Sequence, residues 1–205
     1  ALGDLEQAIS LNPDHLSWYQ LTIEPNTLFY SKPPTLPKDE TLWQIQEKGQ
    51  TLIRQHGYEQ YEISGYSKSG FQCRHNLNYW RFGDYLGIGC GAHGKITLAD
   101  NNEIIRTEKV KHPKGYMDLT KPYLNKKWCI EQDDLPFEYF MNKLRLVEAF
   151  DLSDFESNTG QSRISLNNRI EKALEQKLIK QLSSGSFQTT PHGLLFYNDL
   201  VDLFL

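Results

Sequence analysis

Segments of helical and of extended periodicity alternate from Ala1 to Ile63, and that alternation restricts the chain to folds that layer helices on sheet. Leu2, Leu5, Ala8 and Ile9 share one stripe of a helix already under way at the first residue. Asn12-Pro13 ends it, because proline disfavours the helical conformation of the residue before it. His15 to Glu24 is rich in aromatic and β-favouring residues and reads as a buried strand. Four prolines between Pro25 and Pro37 mark a long loop. A helix then starts near Asp39, with Leu42, Ile45, Leu52 and Ile53 inward and Gly57 as its C-terminal cap. Tyr58 to Ile63 reads as the next strand. This order predicts parallel βα units and an α/β class.

The densest chemistry follows, in Cys73-Arg74-His75-Asn76-Leu77-Asn78-Tyr79-Trp80 and the run Gly87-Ile88-Gly89-Cys90-Gly91-Ala92-His93-Gly94. An imidazole can ligate haem iron, and Tyr79 and Trp80 offer flat apolar surface for a macrocycle. Spacing alone leans the other way: His75 capping a turn and the aromatics filling a core fit equally simple chemistry. Cys73 is a rival soft ligand, since a thiolate also binds haem iron. Gly87, Gly89 and Gly91 permit close backbone approach to a ligand, but also serve tight turns, and the run is not a dinucleotide fingerprint. His93 reads as structural. Tyr85 to Ile88 reads as a short strand, and Lys95–Leu98 with Glu103–Thr107 as hairpin arms around Asp100-Asn101-Asn102.

Glu131-Gln132-Asp133-Asp134 is an acidic connector that places a domain boundary near Asp134. Beyond it Phe137, Phe140, Met141, Leu144, Val147 and Ala149 recur at helical spacing. A second helix covers Leu166 to Lys177, a small β-wing turns at Ser183-Ser184-Gly185, and a last helix begins near Pro191. Three helices around a two-stranded wing predict a winged-helix-like domain. Its reading-helix equivalent, Asn167 to Lys177, mixes both charge signs, which argues against a nucleic-acid module, as does the net charge of -4. A protein-interaction role for this domain stays open. The three cysteines, Cys73, Cys90 and Cys129, match neither a disulfide framework nor a CxxC site, and no apolar run reaches membrane-spanning length. A cytoplasmic protein with reduced thiols is the expectation.

Trp18 to Phe29, Tyr61 to Tyr66, Cys73 to Lys95 and Phe137 to Leu146 together resemble the HemN/HemW family of radical-SAM proteins. Its members are haem chaperones and oxygen-independent coproporphyrinogen III oxidases. The resemblance implies that residues 1–133 are the C-terminal part of an incomplete, TIM-like radical-SAM barrel and residues 134–205 a HemN-type helical domain. It gives His75-Asn76-Leu77-Asn78-Tyr79-Trp80 the family's HNxxYW pattern, linked to haem binding. His75 becomes the axial ligand, Asn76 and Arg74 the partners of propionates, and Tyr79 and Trp80 the surface against the porphyrin. Gly87, Ile88 and Gly89 become weak candidates for S-adenosylmethionine contact. Gly65 stands where relatives carry asparagine, so no side-chain role transfers there. The family's CxxxCxxC cluster motif is absent. With the start in mid-helix, this implies the C-terminal half of a longer protein that holds the [4Fe-4S] cluster and S-adenosylmethionine. By the same reasoning this chain has no catalytic residue of its own. The HNLNYW block favours haem transfer to recipient apoproteins over porphyrinogen decarboxylation. A half-barrel would expose a sheet edge, which invites a homodimer.

Overall fold

Gly57 ends the longest helix of the chain by adopting a left-handed backbone, φ +80°, in the computed structural model, which describes residues 1–205. Its N–H donates to the carbonyl of Arg54 and that of Tyr58 to the carbonyl of Ile53, a pairing that closes the last turn. The chain divides into two units, residues 1–73 and 74–205.

The first unit runs α1 (Leu2–Ser10), β1 (His15–Ser17), α2 (Leu28–Ser31), α3 (Asp39–Gln55), β2 (Glu59–Gln60) and β3 (Gly65–Ser67). Leu5 of α1 and Ile53 of α3 meet Tyr58 and Tyr66 in its core, with Ile9, Leu16, Trp18 and Leu52 packed against them. Of the inward face expected of α3, Leu52 and Ile53 join this core, while Leu42 and Ile45 are half-buried outside it. The strands differ from expectation in pairing and in length, and the one expected over Tyr58 to Ile63 is reduced to Glu59–Gln60. Both β1 and β2 pair with β3, and both pairings are antiparallel rather than parallel. The cause is local: the turn after Gln60, closed by the N–H of Gly65 on the carbonyl of Glu62, sends β3 straight back between the other two, and so tight a turn joins only antiparallel neighbours. The strand expected over His15–Glu24 stops at Ser17, because β3 is three residues long and offers no further edge. Tyr19 to Thr22 are exposed.

The second unit runs α4 (Arg74–Trp80), β4 (His93–Leu98), β5 (Glu103–Lys109), α5 (Pro113–Tyr116), β6 (Leu124–Cys129), α6 (Leu135–Lys143), β7 (Phe150–Asp151), α7 (Leu152–Thr159), α8 (Asn167–Glu175), β8 (Ile179–Ser183), β9 (Ser186–Thr189), α9 (Pro191–Leu195) and α10 (Tyr197–Asp202). β4 and β5 form the expected hairpin, turned by Asn102 at φ 52°, and β6 adds to β5 antiparallel. The strand expected over Tyr85–Ile88 is reduced to one bridge, Tyr85 to Lys95. The wing carries a third strand: β7 lies beside β9, which lies beside β8. The helix expected through Ala149 stops at Lys143, freeing Phe150 to pair with Phe187. Phe140, Phe155 and Phe204 are fully buried at the centre of the core, with Phe140 stacked on Phe204 at 4.0 Å between ring centroids. Ile170 and Ala173 of α8 face the same core, so its apolar stripe holds this helix to the domain.

Candidate functional site

The HNxxYW segment is helical. It forms α4, a helix of seven residues. Helical spacing puts residues four apart on one face, so His75 and Tyr79 stand together, while Trp80 points about 100° away from Tyr79 around the axis. The rings of His75 and Tyr79 meet edge to face, centroids 4.6 Å apart at 88°. Tyr79 makes a second edge contact with Tyr85 at 4.3 Å and lies 6.4 Å from the ring of Trp80. His75 and Arg74 are exposed, and Asn76 is half-buried. The structure thus gathers His75, Tyr79 and Tyr85 on one face and turns Trp80 elsewhere.

Trp80 lines a cleft of about 410 Å³ with Phe137, Met141, Asn142, Arg145 and Tyr197. The Arg145 guanidinium lies 4.3 Å above the Trp80 ring and 5.7 Å from that of Tyr197, a stacked cation between two aromatics. The indole Nε1–H of Trp80 is buried and makes no hydrogen bond to protein. His75 is not among the residues lining this cleft.

What fixes α4 is the chain just after it. Arg81 closes the helix with its N–H on the carbonyl of Leu77, Phe82 donates to Tyr79 and Gly83 to Asn78. This is the hydrogen-bond pattern that normally places glycine at the left-handed position. Here Phe82 takes it, at φ 62°, with its side chain 2% exposed against Tyr139 of α6. Burial of the ring offsets the backbone strain. Arg81 adds a two-point contact to Glu148. Asn78 donates from its amide to the backbone carbonyl of Asp84, whose carboxylate accepts from Lys95 Nζ at 2.8 Å and from the N–H of Thr97 at 2.8 Å. Burial acts to raise the Asp84 carboxyl, but these donors hold it below its ordinary range.

The glycine run is explained largely by backbone contacts. A Cβ on Gly87 would stand 2.3 Å from the carbonyl oxygen of His93, and Gly89 and Gly91 have φ +108° and +69°. The N–H of Gly89 donates to the Tyr116 hydroxyl, and that of Gly91 to the carbonyl of Val110. Ile88 between them is 84% exposed. His93, expected to be structural, begins β4 and pairs with Glu108.

The chain holds no set of three His, Cys, Asp or Glu side chains gathered for a metal ion. Cys73 is half-buried, and Cys90 and Cys129 are exposed, all as free thiols. These three separate thiols do not fit a [4Fe-4S] cluster. The structure also brings in residues that the sequence did not single out: Arg81, Arg106, Glu138, Arg145 and Glu148. Arg81 adjoins the helix but finds Glu148 67 residues on, and the other four reach the site or its supports from distant sequence, so no local motif could have revealed these contacts. No helix is long and apolar enough to cross a membrane.

Residues 130–196 match the HemN C-terminal domain. Over its whole length the chain is 55% identical to the heme chaperone HemW of Haemophilus influenzae, covering 52% of that protein. It is 53% identical to the heme chaperone HemW of Escherichia coli, again over its whole length and 53% of that protein. Among solved structures it shares its fold with coproporphyrinogen III oxidase (HemN) from Escherichia coli, a radical SAM enzyme, at a TM-score of 0.71 and 16% identity, over 98% of this chain and 50% of that one. The chain spans about half the length of the curated relatives it matches. Along its whole length the chain is thus similar to about half of the heme chaperones HemW, and at residues 130–196 to the HemN C-terminal domain.

Proposed function

We propose that this chain carries the haem-holding face of a haem chaperone, with haem as its cargo and His75 as the axial ligand of the iron. The observation that carries this reading is an exposed imidazole on α4 whose ring is held edge-on by Tyr79. The name heme chaperone borne by relatives 55% and 53% identical supports it. An imidazole nitrogen bound to iron fixes the haem at one axial position and leaves the other open to a ligand from an acceptor protein. Single-point attachment suits transfer.

Around that bond the neighbouring residues take separate tasks. Arg74, exposed and adjacent, supplies a charged donor to a propionate, and Asn76 flanks the imidazole on the other side. Tyr79 gives apolar surface beside the porphyrin, with the Trp80 ring 6.4 Å beyond it. Residues 1–133 serve as the barrel-derived part and residues 134–205 as a winged-helix-like domain for contact with haem-accepting apoproteins or a second copy. The [4Fe-4S] cluster and S-adenosylmethionine belong to a longer protein of the family, where the Gly87-Ile88-Gly89 turn is a weak candidate for contact with the latter.

Titration of the full chain with ferric haem, beside His75→Ala and Cys73→Ser, tests the assignment. The Soret band of the complex is expected to depend on His75 and not on Cys73. A His75→Ala chain with an unchanged Soret band would remove the ligand from the reading, and a Cys73-dependent band would move it to the thiolate.

A further inference from the structure

His75 stands on a helix of seven residues, too short to keep its shape in water unaided, so the direction of its imidazole depends on what the helix leans against. The contacts form a line of rings. His75 meets Tyr79 at 4.6 Å and 88°, and Tyr79 meets Tyr85 at 4.3 Å and 72°. Tyr85 is pinned at the backbone, where its N–H donates to the Lys95 carbonyl at 2.9 Å and its carbonyl accepts from the Lys95 N–H at 3.0 Å. Its hydroxyl accepts from Arg106 Nη1 at 2.7 Å. Arg106 in turn donates from Nη2 to Glu138 Oε2 of α6 at 2.5 Å, with side chains 13% and 23% exposed.

We propose that Tyr85, tethered by Arg106, is a positioning residue that aims the His75 imidazole for iron ligation by holding Tyr79 against it. The inference rests on His75 as the haem ligand. Apolar filling alone would need only the ring of Tyr85. The hydroxyl adds a charge-assisted bond from a cation that is itself held by Glu138, and such a bond fixes the tilt of a ring that packing would leave broad. Sheet β4–β5 and helix α6 are thereby linked to the imidazole through two aromatic contacts. A ligand held this way presents one geometry rather than several.

The decisive variant is Tyr85→Phe, which keeps the ring and removes only the tether. Ferric haem is titrated into the full chain, into Tyr85→Phe, into His75→Ala and into the double variant, and each complex is read by electron paramagnetic resonance. Wild type is expected to give one iron signature. Tyr85→Phe is expected to bind about 3-fold to 10-fold more weakly, the scale of one hydrogen bond, and to give a broadened or mixed signature. In the His75→Ala background the same change should have no further effect, because the ring line then ends on no ligand. A Tyr85→Phe complex with the wild-type signature overturns the positioning role, as does a weaker complex whose signature is unaltered. Binding that survives His75→Ala with an unchanged signature overturns the ligand assignment itself, a separate outcome. Arg106→Gln should reproduce the Tyr85→Phe signature, and a wild-type signature there would count against the tether.

Discussion

The guanidinium of Arg81 meets the carboxylate of Glu148 at two points, Nε to Oε1 at 2.9 Å and Nη2 to Oε2 at 2.6 Å. Lys143 Nζ reaches the same Oε1 at 3.3 Å. Burial acts to raise the Glu148 carboxyl, but Arg81 and Lys143 outweigh it and hold the group below its ordinary range. The two cations differ in setting: the Arg81 side chain is 52% exposed and that of Lys143 8%.

That difference predicts unequal losses. Arg81→Ala leaves Glu148 paired with Lys143 and is expected to cost about 1 kcal/mol, the scale of a partly exposed pair. Glu148→Ala leaves a buried ammonium without its carboxylate and is expected to cost about 3 kcal/mol. Urea unfolding of both variants measures this, and equal losses would show that Lys143 is not the group at stake. Because the folded carboxyl titrates below its unfolded value, the contribution is full above the unfolded value and is lost as pH falls through the folded one.

Phe82 offers a reversal of a common ranking. Its backbone is left-handed at φ 62° and its ring is 2% exposed. Removing the ring costs about 3 to 5 kcal/mol whichever small residue replaces it. Glycine, however, tolerates this backbone where alanine is strained by about 1 kcal/mol. Phe82→Gly should therefore unfold at higher denaturant than Phe82→Ala, contrary to the order inside a helix. The opposite order would mean that the left-handed turn does not persist in the variants.

The same position shows why part of the structure was hidden in the sequence. The end of α3 was legible because glycine, at Gly57, occupies the left-handed residue. The end of α4 uses Phe82 instead, at φ 62°, and nothing local announces it, whereas α8, followed by Lys177 at φ 57°, ends at Glu175, close to the end read from the sequence. Inward stripes, the β4–β5 hairpin and the wing turn followed from periodicity and turn chemistry. Antiparallel pairing of β1 with β3 did not, because strand partners 50 residues apart are chosen by the turn after Gln60 and by core packing, not by either strand's composition. For the site, HNxxYW marked the segment but not its helical form, and the tether through Tyr85, Arg106 and Glu138 joins three separated stretches of chain and is visible only in space.

Gly49 in α3 makes room for Trp18. A Cβ there would lie 2.1 Å from the nearest indole carbon, so Gly49→Ala must displace the ring. In a free helix the change would stabilise by roughly 0.5 to 1 kcal/mol through propensity. Here overpacking is expected to win, with a net loss of about 1 to 2 kcal/mol. Thermal unfolding followed by tryptophan fluorescence checks both parts. A variant more stable than wild type would show that Trp18 moves aside freely.

His15 supplies a pH test confined to the first unit. Its Nε2 lies 2.8 Å from the Tyr61 hydroxyl, and its ring is tilted against that of Tyr61 at 5.6 Å. Burial pushes the imidazole below its ordinary value of 6.5, and the nearby carboxylate of Glu62 opposes the shift without cancelling it. The folded state therefore holds fewer protons than the unfolded state between the lowered value and 6.5. Stability must rise with pH across that window: the contribution of His15 is full above 6.5, falls as pH drops below it and levels off beneath the folded value. Titration of the His15 ring protons by NMR is expected to give a midpoint below 6.5, and Glu62→Gln should lower it further, since the opposing charge is gone. A midpoint at or above 6.5, or one raised by Glu62→Gln, would show that charge rather than burial governs this histidine.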